Sequence, residues 1–193
     1  MSKKEAIIQA ATYLFSRKGF KDTRMVEIST LTGAAEGTIF YHFKNKEELF
    51  LYILEKFKKD ITDEFELYIR ENEFKNGLDT IEKAVAFYLD LAGTMEDRFL
   101  LLHRHDAYEL AEANPVCRGY LDTIYTCLLN IFERAVLRGQ KDGSIRDMPA
   151  KKASLIVLSM VDGLVRLNTY NLYHADALYG ELIESVRRML QKS

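Results

Sequence analysis

Residues 33–46 read GAAEGTIFYHFKNK. Glycines at 33 and 37 precede four consecutive rings, Phe40, Tyr41, His42 and Phe43, and Lys44 and Lys46 follow at once. A core tolerates lysines badly and a surface rarely carries so many rings, so the run must divide between a buried and an exposed face. On a helix from Ala35 to Phe43, Ile39 and Phe43 are four apart and share one side. They are expected to pack on Ile28 and Leu31 of a preceding helix, with part of Phe40 joining them. Thr38, Tyr41 and His42 are left on the opposite side, near Glu36 and Gly37. Helix, glycine turn and helix in so short a span is the helix-turn-helix pattern.

Outward from that stretch the chain reads as helices. Ile7, Ala10, Ala11, Leu14 and Phe15 recur at helical spacing, and Gly19 is placed to end that helix. Thr23 is the expected N-cap of a second helix that turns Met25, Ile28 and Leu31 inward. The Lys44-Asn45 pair breaks the third, and a fourth runs from about 46 to 72 through Leu49, Ile53, Phe57 and Ile61. Further helices are predicted near 78–93, 98–113, 115–140, 149–173 and 175–191, about nine in all, with GQKDGSIRDMP (139–149) as a loop. No segment alternates as strands do, so the fold class is all-α. A three-helix domain holding the helix-turn-helix (1–48) is expected ahead of a larger helical domain (49–193).

Composition bounds the function. The 193 residues are 48% hydrophobic and 29% charged, with only two prolines and ten glycines, enough apolar material for a real core. No apolar run suggests a signal peptide or a membrane span. Cys117 and Cys127 lie ten residues apart on one predicted helix, too far for an intrachain disulfide, which fits a reducing cytoplasm. Net charge is −2, but residues 1–46 hold eight Lys/Arg against four Asp/Glu, a net +4 that leaves −6 for the rest. A basic head on an acidic body points the head towards nucleic acid.

The chemistry of the head agrees. Hydroxyls, ammonium groups and unpaired N–H groups at a helix start all donate to phosphate oxygens. Gly37 has no side chain, so a base edge or sugar can approach the backbone. The run Phe20, Thr23, Ile28-Ser29, Gly33, Gly37-Thr38-Ile39-Phe40-Tyr41-His42-Phe43, Asn45-Lys46-Glu47 and Leu49 resembles the DNA-binding region of the TetR family of transcriptional regulators. The resemblance covers about the first fifty residues. It implies that Thr23 and Arg24 touch backbone phosphate, that Glu36 and Gly37 face the major groove, and that Thr38, Tyr41, His42 and Lys46 anchor phosphates; Lys44, beside Tyr41 and His42, is a further candidate phosphate donor by its charge. Ala35 stands where the family often has a capping Ser. Glu36 stands where a basic or neutral residue is common, and a carboxylate there can accept from cytosine N4. Phe40 lacks the hydroxyl of the family's usual Tyr.

The resemblance also implies a homodimer through the two C-terminal helices (149–191) that binds a palindromic operator on double-stranded DNA. Leu155, Met160, Gly163, Leu164 and Leu167 form one apolar stripe there, and Leu178, Leu182, Val186 and Met189 another. These stripes can equally line the chain's own core. The body would hold a small hydrophobic effector that releases the DNA. The run GAAEGTI resembles the fatty-acid-responsive branch, implying acyl-CoA, with drug-like ligands as the other class. Candidate pocket residues are Tyr88, Phe99, His103, His105, Tyr108, Tyr120, Tyr125, Asn168 and Tyr170. The competing reading is a helical metal-binding protein or enzyme using His103, His105, Asp106 and Glu109 of HRHDAYELAE (103–112). No nucleophile, phosphate-loop or H-E-x-x-H motif accompanies them, so no catalytic residue, metal or cofactor is expected.

Overall fold

The structure is a computed structural model that describes residues 2–192. Ten α-helices and one 3-10 turn make up the described residues, with no strand among them: α1 (Lys3–Arg17), α2 (Met25–Thr32), α3 (Glu36–His42), α4 (Lys46–Glu71), α5 (Gly77–Thr94), α6 (Glu96–His103), α7 (His105–Ala113), α8 (Pro115–Asp142), α9 (Ala150–Thr169), the 3-10 turn Ala175–Leu178 and α10 (Tyr179–Leu190). The all-α expectation holds. Two compact units compose the chain: Met1–Ile61 with Asp97–Thr123, and Thr62–Glu96 with Ile124–Ser193. Segment 1–48 lies wholly in the first, and α4 and α8 carry residues of both.

The head begins with a capping box. Ser2 Oγ accepts from the Glu5 amide at 3.2 Å, and the Glu5 carboxylate accepts from the Ser2 amide at 2.7 Å. The helix buries Ile7, Ile8, Ala11 and Phe15 and stops at Gly19, whose φ of +103° suits only glycine. The N-cap of α2 is Arg24 and not Thr23. Gly33 ends α2 in the left-handed region (φ +67°). Ser29 Oγ donates to the Ala34 carbonyl (2.7 Å) and Thr32 Oγ1 to the Ile28 carbonyl (2.7 Å), which fix the turn into α3. Ala35 occupies the N-cap of α3 with no side-chain bond. Asn45 caps α4 instead, its Oδ1 accepting from the Glu48 amide at 2.8 Å.

Ile28, Ile39 and Phe43 form the buried seam of the motif, but Leu31 is 55% exposed. The buried arc of α2 runs over Ile28, Thr32, Met25 and Ser29, and Leu31 lies about 60° beyond Ile28 on the other side.

The expected helix over 98–113 is two helices. Arg104 between them is extended (φ −73°, ψ 146°), a break that no local glycine or proline dictates. α9 ends at Thr169, short of the expected 173, because Asn171, Tyr173 and His174 all take positive φ.

In the second unit α5, α9 and α10 pack on one another. Gly77 and Gly139 touch backbone to backbone, so a Cβ at 77 would overlap Gly139. Arg187 of α10 grips Glu82 of α5 with two parallel bonds of 2.7 and 2.8 Å, and this pairing raises the Arg187 pKa further.

Candidate nucleic-acid interface

The short helix α3 sets one face inward and leaves the other bare. Ile39 (0% exposed) and Phe43 (2%) seat it on the core. About 160–200° round from Ile39 come Gly37 and Tyr41, flanked by Phe40 and Lys44. Tyr41 is 84% exposed and Phe40 47%. Thr38 and His42, expected on the outer side, are half-buried flanks of this face, and Glu36 is exposed at its N-terminal end. The rings of Tyr41 and His42 meet edge to face at 5.1 Å. A side chain at Gly37 would meet nothing within 4 Å, so the helix start is open to an incoming group.

Phe40 is therefore a surface residue, not a member of the seam. The spacing could have disclosed it, since Phe40 is one turn on from Glu36 and only about 100° from Ile39. Its ring suits apolar contact with a thymine methyl.

Of the basic residues, Arg24 and Lys44 are exposed beside α2 and α3. The Arg24 amide is held by the Glu27 carboxylate (2.7 Å), which also binds Lys18. The Lys18 bond, followed by the Arg24 amide, draws the Glu27 pKa down.

Two expected phosphate contacts look the other way. Thr23 is fully buried, and its hydroxyl donates to the Gly19 carbonyl at 2.7 Å. Lys46 Nζ donates to the carbonyls of Phe20 (2.6 Å), Thr23 (2.9 Å) and Lys21 (3.2 Å) and lies 4.6 Å over the Phe20 ring. Burial lowers its pKa. Both side chains fasten the α1–α2 loop, because its carbonyls are turned inward and need donors.

The C-terminal turn of α1, just before that loop, is also tied. The Arg104 guanidinium reaches the carbonyls of Ser16 (3.2 Å), Arg17 (3.4 Å) and Lys18 (3.5 Å), the orphan acceptors of the helix end. Asp106 orients it at 3.2 Å. Lys21 pairs with Glu109 at 2.6 Å, which raises the lysine's pKa, and Arg17 pairs with Asp97 at 3.2 Å. These contacts explain the break at Arg104: an extended residue there carries the guanidinium to α1.

They also weigh against the competing metal reading. Asp106 and Glu109 are engaged with Arg104 and Lys21, His103 is buried against Phe99 (6.2 Å between rings), and His105 is exposed at the start of α7. Among the described residues no three His, Cys, Asp or Glu side chains assemble into a metal site.

The expected pocket residues are distributed through both units. In the first, Phe99 is fully buried against Phe57 (5.3 Å), Tyr108 is 38% exposed, and Tyr120 lies under Lys58 (4.8 Å). In the second, Tyr88 is fully buried and donates to Asp162 at 2.7 Å, while Tyr125 and Asn168 are half-buried and Tyr170 is 39% exposed. Asp162 was not among the expected residues. Its one signal is a carboxylate one residue after the inward-facing Val161.

The two expected C-terminal stripes differ. On α10, Leu182 and Val186 are buried within the chain, while Leu178 is 45% exposed. On α9, Met160, Leu164 and Leu167 are half-buried, Gly163 is exposed with open space at its Cβ position, and Ile156 is 50% exposed. Ile156 and not Leu155 continues that stripe, since Leu155 lies about 100° round the helix from it.

Among the described residues no helix is long and apolar enough to cross a membrane. Residues 7–53 match the model of bacterial regulatory proteins, tetR family. The chain is 26% identical over 171 residues to the HTH-type transcriptional repressor BepR of Brucella suis, covering 84% of this chain and 78% of that protein. The MbdR regulator of Azoarcus sp. CIB superposes with a TM-score of 0.82 at 22% identity, over 99% of this chain and 100% of that one. The transcriptional regulator FadR of Bacillus subtilis, solved in complex with stearoyl-CoA, superposes with a TM-score of 0.74 at 20% identity, over 96% and 98%. The two superpositions bear on the fold, and the sequence match falls on the helix-turn-helix whose outer face is bare: residues 7–53 carry a DNA-binding region of the tetR family of bacterial regulatory proteins.

Proposed function

We propose that the chain is a cytoplasmic homodimeric repressor that binds a palindromic operator and leaves it when a small hydrophobic effector binds. Residues 1–48 form the DNA-reading head and 49–193 the effector-binding and dimerising body. The observation that carries this reading is the bare outer face of α3, with Tyr41 84% exposed beside an open Gly37. Gly37, Glu36 and Phe40 face the bases, Glu36 accepting from cytosine N4. Tyr41, Lys44 and Arg24 hold phosphates, with Thr38 and His42 at the flanks. Two heads spaced by one helical turn of DNA, roughly 34–36 Å, read a palindrome. The outer stripe of α9 (Ile156, Met160, Gly163, Leu167) supports pairing of two copies.

The effector is an apolar small molecule, acyl-CoA or drug-like, and Tyr88, Tyr125, Asn168 and Tyr170 are candidate contacts in the second unit. FadR, solved with stearoyl-CoA, supports the lipid class. Release follows if the effector favours a head spacing that the operator does not fit, and the coupling is reciprocal.

The test is fluorescence anisotropy on duplex DNA from upstream of the chain's own coding region, against a scrambled duplex, at two salt concentrations. Tight, salt-steep binding to the native duplex is expected. Tyr41→Ala with Lys44→Ala should weaken binding to every sequence and reduce the salt slope by about one. Unchanged affinity in that double variant would remove these residues from the interface.

A further inference from the structure

In the second unit, an open cavity of about 500 Å³ is bounded by the end of α4, the segment after it, α5 and α8. Ile69, Phe74, Ile131 and Ala135 give it an apolar floor. Arg134 and Arg138, one turn apart on α8, stand over that floor. Each guanidinium is pinned by a main-chain carbonyl: Arg134 Nε by Asn130 at 3.2 Å, and Arg138 Nη2 by Phe74 at 2.9 Å. Among the described residues neither is in an ion pair. Glu73 on the rim pairs with neither. Asp142, one turn beyond Arg138, is turned to the amides of Gly77 (2.8 Å) and Ser144 (3.0 Å). Two oriented guanidiniums over an apolar floor, neither of them in an ion pair, are half of a recognition site for a carboxylate or phosphate. The cavity's size is that of a small-molecule site.

We propose that this cavity binds a small organic anion with an apolar, aromatic-sized body, its carboxylate or phosphate held by Arg134 and Arg138 and its body laid over Phe74, Ile69 and Ile131. The site goes beyond the repressor reading and does not depend on it.

Titration calorimetry of the full chain tests it with 4-phenylbutyrate and with 4-phenylbutyl phosphate, and with 4-phenyl-1-butanol as the neutral analogue. One-to-one saturable binding of an anion is expected. It should weaken at least tenfold in Arg134→Gln/Arg138→Gln, weaken measurably in Arg134→Gln alone, and be weaker by a similar factor for the alcohol. The stronger of the two anions identifies the headgroup. Arg134→Gln removes only a bond within its own helix, so that variant stays folded, which thermal melting verifies. No saturable binding of either anion, equal binding of the alcohol, or binding indifferent to both variants would overturn the site. Operator binding measured on the same variants keeps this outcome separate from the repressor reading, since none of these residues lies in the head.

Discussion

Lys46 is the residue at which a surface motif and the fold part company. A lysine next to Asn45 at a helix start, close behind an exposed tyrosine, has the makings of a phosphate anchor. In the folded chain its ammonium has three carbonyl partners and an aromatic ring. Lys46→Met should therefore act on stability and not on salt-dependent DNA contact. Leaving buried carbonyls without a donor costs about 1–3 kcal/mol, visible as a lower melting temperature of the free protein. The slope of DNA affinity against salt should be unchanged, which separates Lys46 from Lys44.

Asp142 offers a second residue-level test. Its carboxylate accepts from Ser144 and Gly77, and these bonds, the Ser144 bond first, hold its pKa below the usual carboxylate value. A carboxyl whose folded pKa is depressed adds stability above its unfolded value, near 4, and loses it as pH falls through the folded value. Asp142→Asn should lower the melting temperature at pH 6, and the gap to the parent should narrow as pH falls below the usual carboxylate value, near 4. A gap that persists at low pH would show that the loss is not one of charge.

At the scale of elements, glycine contacts decide how closely helices approach. Gly77 opens α5 against Gly139 of α8 with no room for a methyl group. Gly77→Ala should cost about 3 kcal/mol through overpacking, read as a shifted denaturation midpoint with an unchanged slope. A neutral effect would mean that the two helices separate at little cost. The same scale explains the α6–α7 break. Nothing in RFLLLHRHDAYELAEA interrupts helical spacing, so a single helix over 98–113 is the natural reading. The acceptors at the end of α1 are what draw Arg104 out of helical geometry, and those acceptors are more than 80 positions away in the chain.

For the whole molecule, the proposed assembly rests on α9. Val157, Val161 and Val165 face inward, so the stripe through Ile156, Met160 and Gly163 needs a cover of its own. Ile156→Glu should weaken the dimer by at least about tenfold, as seen by sedimentation velocity, and weaken palindrome binding with it while the melting of the monomer is little changed. A stable dimer in that variant would move the interface elsewhere.

The sequence by itself determined the helical class, most helix positions, the helix-turn-helix and the Ile28–Ile39–Phe43 seam. Those depend on spacing along a helix and on glycines at 19 and 33 that permit positive φ, both local properties. It also placed Tyr41 outward, since a residue about 160° or more from a buried seam has no other direction on a small head. Only the tertiary structure decided the rest. It turned Lys46 onto loop carbonyls, broke the chain at Arg104 and brought Tyr88 to Asp162. In each of these the deciding partner is far away in sequence, and a donor goes where distant acceptors are left unsatisfied.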